Sequence, residues 1–269
     1  MEKLMTEELG GIARHQQYYE AAYRTYLDAC SGRQYYLQLL GEADSVVLRK
    51  LQEIHHNTHV IVVEPSEDYI TEYKELLEHE PHIGRLTFDW LQQRAEEYFS
   101  QEAGERCHLI HAIHVLYHVD DLAVTLKNMW DSLADGGSMV VMIESGKSDF
   151  GRWRLKVMET LGVPEDKRLA TCLRVSSDVI KILDDNNINY SAVSTSPEDI
   201  DVTECLKEGS VSGKLLLDFL IQTAYASSNP ELRSVLLKYL KSPEFSTRVD
   251  DKVVITQYTD VIVARKKST

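Results

Sequence analysis

Short hydrophobic runs alternate with amphipathic stretches along the first 150 residues. Val60–Val63 is a continuous β-branched run that ends at Glu64, and residues 107–115 and 138–145 form two further apolar runs. Such runs are typical of strands that are buried on both faces of a parallel sheet. Hydrophobic residues recur at helical spacing in 43–57, 71–80 and 120–137, the last closed by Gly136-Gly137. Strands that alternate with helices predict a doubly wound, mostly parallel α/β sheet with helices on both faces.

Beyond residue 150 the pattern becomes mainly helical. Strands are predicted at 190–194 and across KVVITQYTDVIVA, residues 252–264. A helical insertion therefore separates the late strands, where it is placed to act as a lid. The predicted helices are 151–162, a segment capped by Ser176 or Ser177 and ending at Asn186-Asn187, 213–225, and 231–241 with Asn229 as cap and Pro230 at its first position.

The net charge of the chain indicates which kinds of ligand and partner it can bind. A charge of −14 without a basic stripe predicts no nucleic-acid partner. The same sign repels anionic membrane surfaces and favours cationic small molecules. No apolar run is long enough to span a bilayer, and Met1–Gly11 has no apolar h-region. Four cysteines without CxxC spacing indicate reduced thiols, and we expect a cytoplasmic monomer.

An N-terminal helix, predicted at 13–29, carries tyrosines on one face. Tyr19, Tyr23 and Tyr26 fall at i, i+4 and i+7. An aromatic face can hold a cationic amine, but it can equally be packing alone. The pattern leaves both interpretations open.

Candidate chemistry collects where predicted strands end, because ligands of open parallel sheets bind beyond the carboxyl ends of the strands. Glu64 follows a predicted strand and is placed to accept hydrogen bonds from the two hydroxyls of a ribose. Tyr35–Leu40 predicts a short strand that ends at Gly41. A loop that touches a nucleotide or sulfonium cofactor needs glycines, and LLGEAD offers a single one without a G-x-G pattern.

Histidines recur around the strand predicted at 107–115. On a strand, His108 and His114 face opposite to His111, so these side chains cannot converge on a metal ion, and we predict no metal site. His114, Tyr117 and His118 lie where the strand gives way to its loop, which favours a ligand-facing role. For His118, a solvated loop position is the alternative.

Blocks along nearly the whole chain match one known family in the same order. From about Tyr19 to the C-terminus the chain resembles the histamine N-methyltransferases. The resemblance implies a Rossmann-like class I methyltransferase fold with a helical substrate-covering region, and S-adenosylmethionine as the methyl donor. The matching blocks are VEPS (63–66), YKELL (73–77), IHAIHVLYHV (110–119), AVTLK (123–127), KLLLDFL (214–220), PELRSVL (230–236), SPEFS (242–246) and KVVITQYTDVIV.

The resemblance also implies roles for individual residues. Glu64 resembles the ribose-binding acid of the family, Ser66 its neighbour in the cofactor site, and Ile113 a residue near the adenine. Tyr19 and Tyr23 resemble aromatic residues that enclose the substrate, and Tyr117 resembles an aromatic wall. Gly41 matches the end of a glycine motif. In this interpretation residues 1–150 hold the N-terminal helix and the cofactor-binding half, and residues 151–269 hold the remaining strands and the lid, within one compact unit.

The chain also departs from the family pattern. Leu39 and Leu40 stand where the family has glycines, and the segment before them is shorter, so that 35–40 either replaces the first strand or that strand is missing. Gly32 stands where the family has a substrate-anchoring glutamate. His114 replaces a pocket glutamine, His118 a tyrosine and Gln257 an asparagine, and we expect all three to contact substrate.

Two hypotheses about function follow. The first is an S-adenosylmethionine-dependent N-methyltransferase acting on a small imidazole amine, which is histamine or a related compound such as carnosine. The alternative is a catalytically inactive relative that keeps the fold and has a degraded cofactor loop. A protein-interaction module that uses the acidic surface is a third, weaker idea.

Overall fold

The computed structural model describes residues 11–30, 46–55, 57–78, 86–101 and 106–268. The helices are α1 (Gln16–Ala29), α2 (46–54), α3 (Glu67–Glu78), α4 (Ala95–Ser100), α5 (Leu122–Asp131), α6 (Asp149–Thr160), α7 (Glu165–Leu169), α8 (Ser176–Asp185), α9 (Val211–Leu220) and α10 (Pro230–Leu240). The strands are β1 (Thr58–Val63), β2 (Leu86–Leu91), β3 (Cys107–Ile113), β4 (Leu133–Glu144), β5 (Tyr190–Ser194), β6 (Glu198–Asp201), β7 (Thr247–Val249), β8 (Lys252–Gln257) and β9 (Thr259–Arg265).

The strands form the predicted α/β arrangement. β1 pairs with β2 in parallel, and β3 pairs with β4 in parallel. β9 lies antiparallel between β4 and β5, which gives the order β3-β4-β9-β5. The strand at Val60–Val63 is confirmed, but its side chains are half-buried instead of fully buried. In the described part of the chain, β1 hydrogen-bonds along one edge only, to β2.

The glycine pair at 136–137 does not close a helix, contrary to the prediction. α5 ends at Asp131, and Leu133 already pairs with Cys107. The register then shifts so that Leu109 pairs with Ser138, which places both glycines in a bulge of β4. A Cβ on Gly137 would lie 2.8 Å from the Ala134 carbonyl oxygen, so the bulge needs glycine for close backbone approach.

The cap of α8 also differs from the prediction. Neither Ser176 nor Ser177 caps the helix, because Val175 occupies the N-cap position. Its N–H donates to Asp178 at 2.8 Å, and the Ser176 hydroxyl donates instead to Asp260 at 2.6 Å. Arg168 holds Asp178 in place with two further hydrogen bonds of 2.7 and 2.5 Å.

The insertion between β5 and β9 is not only helical. The helices predicted at 213–225 and 231–241 are present as α9 and α10, and Asn229 caps α10 as predicted. The segment 252–264 is two strands of different sheets, because β8 joins β6 and β7 while β9 joins the main sheet. α1 packs on α9 of this insertion, where Tyr18 donates a hydrogen bond to buried Asp218.

Some predictions fall outside the described residues. They are the strand at Tyr35–Leu40, the loop glycine Gly41, the leucines Leu39 and Leu40, and Gly32. Among the helices that are described, none combines the length and the apolar character needed to cross a bilayer.

Candidate functional site

The tyrosine face of α1 packs around one phenylalanine of the insertion. The ring centroid of Phe219 in α9 lies 5.9 Å from Tyr19, 5.6 Å from Tyr23 and 4.6 Å from Tyr26. The shared face predicted from the spacing is therefore confirmed. Tyr26 is buried, whereas Tyr19 and Tyr23 stay half-buried. Burial raises the pKa of Tyr19 to about 12, so its hydroxyl is neutral.

His114 ends β3 and turns the chain into the following loop. Its φ of 51° lies in the left-handed region, so the strand cannot continue through His114 and ends at Ile113. Its Nδ1 lies 3.2 Å from the Tyr117 hydroxyl, and its Nε2 lies 3.2 Å from the Thr259 hydroxyl. Burial lowers the pKa of His114 to about 4, so the ring is neutral. Both ring nitrogens have hydrogen-bonding partners within the protein.

Tyr117 connects this histidine to the end of β4. Its hydroxyl accepts a 2.8 Å hydrogen bond from the backbone N–H of Glu144. Burial is the main cause that raises the pKa of Tyr117. A neutral phenol in this position can both accept from Glu144 and donate one proton, either to His114 or to a ligand.

His118 lies on the outer side of the same loop and is exposed. Partial burial and the charge of Arg174 lower its pKa, while the charge of Glu64 acts in the opposite sense. His118 is therefore within electrostatic range of Glu64. Its ring also stands edge-on to Tyr117, with the ring centroids 6.3 Å apart, but it forms no side-chain hydrogen bond with His114 or Tyr117.

The Glu64 loop lies at the carboxyl end of β1. The Glu64 N–H donates to the Leu91 carbonyl of β2, and its Oε1 accepts from the Ser66 N–H at 2.8 Å. Among the described residues, Oε2 has no hydrogen-bonding partner, which leaves an acceptor for a hydroxyl donor. The Ser66 hydroxyl is used locally, since it accepts from the Tyr69 N–H at 3.3 Å. A half-exposed carboxylate acceptor at the rim fits a ribose, and Ile113 at the end of β3 is half-buried and apolar, as an adenine contact requires.

Tyr69 joins this loop to the tyrosine face, and the sequence analysis did not select it. After burial, the largest cause that raises the pKa of Tyr23 is the proximity of Tyr69, and Tyr69 also raises the pKa of Tyr19. The side chain of Tyr69 is largely exposed. Tyr69, three residues after Ser66, therefore lies within electrostatic range of the predicted substrate tyrosines.

Gln257 belongs to the insertion and links several residues of the candidate site. It is buried at the end of β8, and its Oε1 accepts from the Tyr26 hydroxyl at 2.7 Å. Its Nε2 donates to the Cys30 sulfur at 3.7 Å and to Glu198 Oε2 at 3.5 Å. Two residues later, Thr259 contacts His114. The segment 257–259 thus joins the aromatic face to the rim of the sheet.

Glu144 and Arg154 are buried charged residues at the same rim, and the sequence analysis missed both. The Ser148 hydroxyl donates to Glu144 at 2.7 Å. Burial raises the pKa of Glu144 to about 7, although Ser148 and the charge of Arg154 oppose the shift. Arg154 donates from Nε and Nη2 to the Leu220 carbonyl at 3.1 and 2.9 Å. The available signal was position, because Glu144 ends an apolar run just as Glu64 does.

The chain is similar in sequence to known methyltransferases. Residues 10–209 match the protein-family model described as a methyltransferase domain. The chain is 33% identical over 223 residues to histamine N-methyltransferase of Cavia porcellus, which covers 80% of this chain and 74% of that protein. It is 33% identical over 235 residues to the Xenopus tropicalis enzyme of the same name, with 84% and 78% covered. For the Bos taurus enzyme the identity is 32% over 231 residues, with 83% and 77% covered.

Proposed function

The chain belongs to the histamine N-methyltransferase family of class I S-adenosylmethionine-dependent methyltransferases, and from this premise we propose that its acceptor is a small imidazole amine. The acceptor is histamine or a histamine-like compound such as carnosine. The methyl group goes to a ring nitrogen.

S-adenosylmethionine supplies a methyl group that is already activated by the sulfonium. On the protein side, Glu64 would hold the ribose, and Ser66 keeps the Glu64 carboxylate in place through its backbone N–H. Ile113 provides an apolar contact for the adenine at the end of β3. Gly41 belongs to the same proposed cofactor site by resemblance.

The acceptor lies against the tyrosine face of α1. Tyr19 and Tyr23 are half-buried and neutral, so they offer aromatic walls to a ring and to a cationic side chain. A neutral imidazole has a free lone pair and needs no strong base. The protein must hold the ring at about 3–3.5 Å from the methyl group and exclude water.

Polar residues at the rim orient the acceptor ring. Tyr117 can donate to the acceptor ring, because its hydroxyl accepts from Glu144 and keeps its own proton. That requires His114 to donate from Nδ1 to Tyr117 and to accept from Thr259 at Nε2. His114 then orients Tyr117, while Gln257 fixes Tyr26, and His118 contributes from the outer loop.

One observation carries the proposal. The segment 257–259 bonds to Tyr26 of the aromatic face through Gln257 and to His114 at the end of β3 through Thr259. The aromatic walls for an imidazole amine are thereby attached to the sheet rim, where Glu64 would hold the methyl donor.

A methyl-transfer assay tests the proposal. Purified protein is incubated with methyl-labelled S-adenosylmethionine and, separately, with histamine, carnosine or histidine, and the products are identified by mass spectrometry. We expect ring-methylated product from histamine or carnosine. If no imidazole compound is methylated while the protein is folded by circular dichroism, the proposal fails. Calorimetric titration with S-adenosylmethionine then distinguishes a different acceptor from an inactive relative, since only the inactive relative produces no heat.

A further inference from the structure

Two carboxylates near the end of β8, the buried Glu144 and the half-buried Glu198, form no ion pair with a described residue. Glu144 is 8% exposed, and its carboxylate accepts a hydrogen bond from the neutral Ser148 hydroxyl. Glu198 Oε1 is buried without any hydrogen-bonding partner, while its Oε2 receives only a long 3.5 Å contact from Gln257. Within the described residues, neither carboxylate contacts a lysine or an arginine. A buried carboxylate oxygen without a donor is costly, and it marks a place where a donor is expected.

Both carboxylates lie beside the segment 257–259, because Glu198 pairs with Gln257 across β6 and β8, and Glu144 pairs with Thr259 across β4 and β9. Each of them raises the pKa of the Cys30 thiol, which is also contacted by the Gln257 amide. Glu198 also raises the pKa of Glu144. The region lies next to Gln257 and Tyr26, and therefore at the inner end of the tyrosine face.

The charges of the region are unbalanced. Arg154 is a buried cation whose charge acts on Glu144, but its Nε and Nη2 are directed to the Leu220 carbonyl. Asp260, which also acts on Glu144, is already bonded by the hydroxyls of Ser176 and Ser194. Two carboxylates and one guanidinium occupy the region, and a bound ammonium group would favour the charged form of both carboxylates, whose pKa burial raises.

We infer that Glu144 and Glu198 form the ammonium subsite of the acceptor pocket and select acceptors that carry a primary amine. The inference rests on the proposed function, and it assigns the cation-binding role to residues other than the family's glutamate position at Gly32. An ammonium group donates three hydrogen bonds, which suits Glu198 Oε1, the free oxygen of Glu144 and an aromatic face. The imidazole ring then extends from this subsite towards Tyr117 and the sheet rim.

Paired ligands that differ only in the ammonium arm test the subsite. The probes are histamine and 4-methylimidazole, titrated calorimetrically into the protein saturated with S-adenosylhomocysteine. For the wild type we expect histamine to bind roughly ten to a hundred times more tightly than 4-methylimidazole, as befits charge-assisted hydrogen bonds. Glu198→Gln and Glu144→Gln should each weaken histamine binding and leave 4-methylimidazole binding unchanged, so that the preference falls to within about threefold.

Control variants separate a specific role from general damage. Glu208→Gln removes an exposed carboxylate of the same insertion and should keep the wild-type preference. Glu198→Asp retains the charge and should keep part of it. Melting temperatures establish that each variant is folded. A wild type without preference, or glutamine variants that keep it, would overturn the subsite.

The same preparations are assayed for methyl transfer, which keeps the two ideas separable. Transfer to both imidazoles with equal affinity sinks the subsite and leaves the proposed function standing. A preference that collapses in the glutamine variants, without transfer to any imidazole, supports the subsite and sinks the proposed function.

Discussion

The hydroxyl of Tyr26 donates a 2.7 Å hydrogen bond to Oε1 of Gln257, and the two residues are 231 positions apart in the chain. Through this bond the N-terminal helix is fixed to the strand that ends beside the sheet rim. Both side chains are buried, so neither group can exchange its partner for bulk water.

Tyr26→Phe should therefore lower both stability and acceptor binding. The buried Gln257 oxygen loses its donor, and we expect a loss of about 1–3 kcal/mol in the free energy of unfolding. The acceptor KM should rise, because the tyrosine face loses its fixed position, while the Kd of S-adenosylmethionine should not change. Urea unfolding and steady-state kinetics measure these quantities. Tyr73→Phe, in a helix away from this bond, is the matched control, and an equal effect there would contradict the explanation.

Glu64→Gln should weaken the binding of S-adenosylmethionine and leave the binding of the acceptor unchanged. The neutral amide is a poorer acceptor for two ribose hydroxyls, so the Kd of S-adenosylmethionine should rise roughly ten- to a hundredfold. Isothermal titration calorimetry is the measurement. Glu67→Gln changes a neighbouring exposed carboxylate in the first turn of α3 and should have no effect. Equal Kd values for the wild type and Glu64→Gln would remove Glu64 from the cofactor site.

At Tyr19 and Tyr23, we expect acceptor binding to depend on the aromatic ring and not on the hydroxyl. Leucine at either position removes the π face, and we expect the acceptor KM to rise by about tenfold for a loss near 1 kcal/mol or somewhat more. Phenylalanine keeps the ring and should stay within about threefold of the wild type. The comparison of the two substitutions is made by steady-state kinetics with histamine. Similar KM values for Tyr19→Leu and Tyr19→Phe would show that the ring face does not contact the acceptor.

Because His114 is buried and neutral, we expect the free energy of unfolding to depend on pH. Burial lowers its pKa in the folded protein to about 4, below the usual value of 6.5. Between these values the unfolded chain binds more protons, so this residue makes the protein less stable as the pH falls from about 6.5 to about 4. The loss is on the order of 3 kcal/mol and is complete below about pH 4.

His114→Asn removes that proton and tolerates the left-handed backbone of this position. Its stability relative to the wild type should therefore improve steadily from pH 6.5 down to 4 and stay constant above pH 7. Chemical denaturation across this pH range gives the difference. Parallel pH profiles of the two proteins would contradict a neutral, buried His114.

Several parts of this arrangement could be predicted from periodicity alone. Tyr19, Tyr23 and Tyr26 share a face because helical spacing puts them there, and all three meet Phe219. Glu64 follows a β-branched run, and the end of that run is the end of β1. These features depend on local sequence, which a single chain displays directly.

Other parts depend on contacts between distant segments. The segment 252–264 has one continuous strand pattern, but it changes sheets at Tyr258 because β8 pairs with β6 and β7 while β9 enters the main sheet. Asp178 takes over the cap of α8 from the serines since Arg168 fixes its carboxylate there. The unusual pKa of Glu144 arises only after α6 and the insertion cover the end of β4. None of these neighbours is adjacent in sequence, so local patterns could not reveal them.

The attachment of α1 to α9 has a consequence for how a ligand enters. Tyr18 bonds to Asp218, two hundred positions later, and Cys30 forms a backbone bridge with Ile200 just beyond the end of α1. α1 is thus attached to the insertion at both of its ends, to α9 near its start and to β6 just after its end. An outward movement of the insertion must therefore carry Tyr19 and Tyr23 with it. A ligand would then enter between the sheet rim and the tyrosine face, and not between the tyrosine face and the insertion.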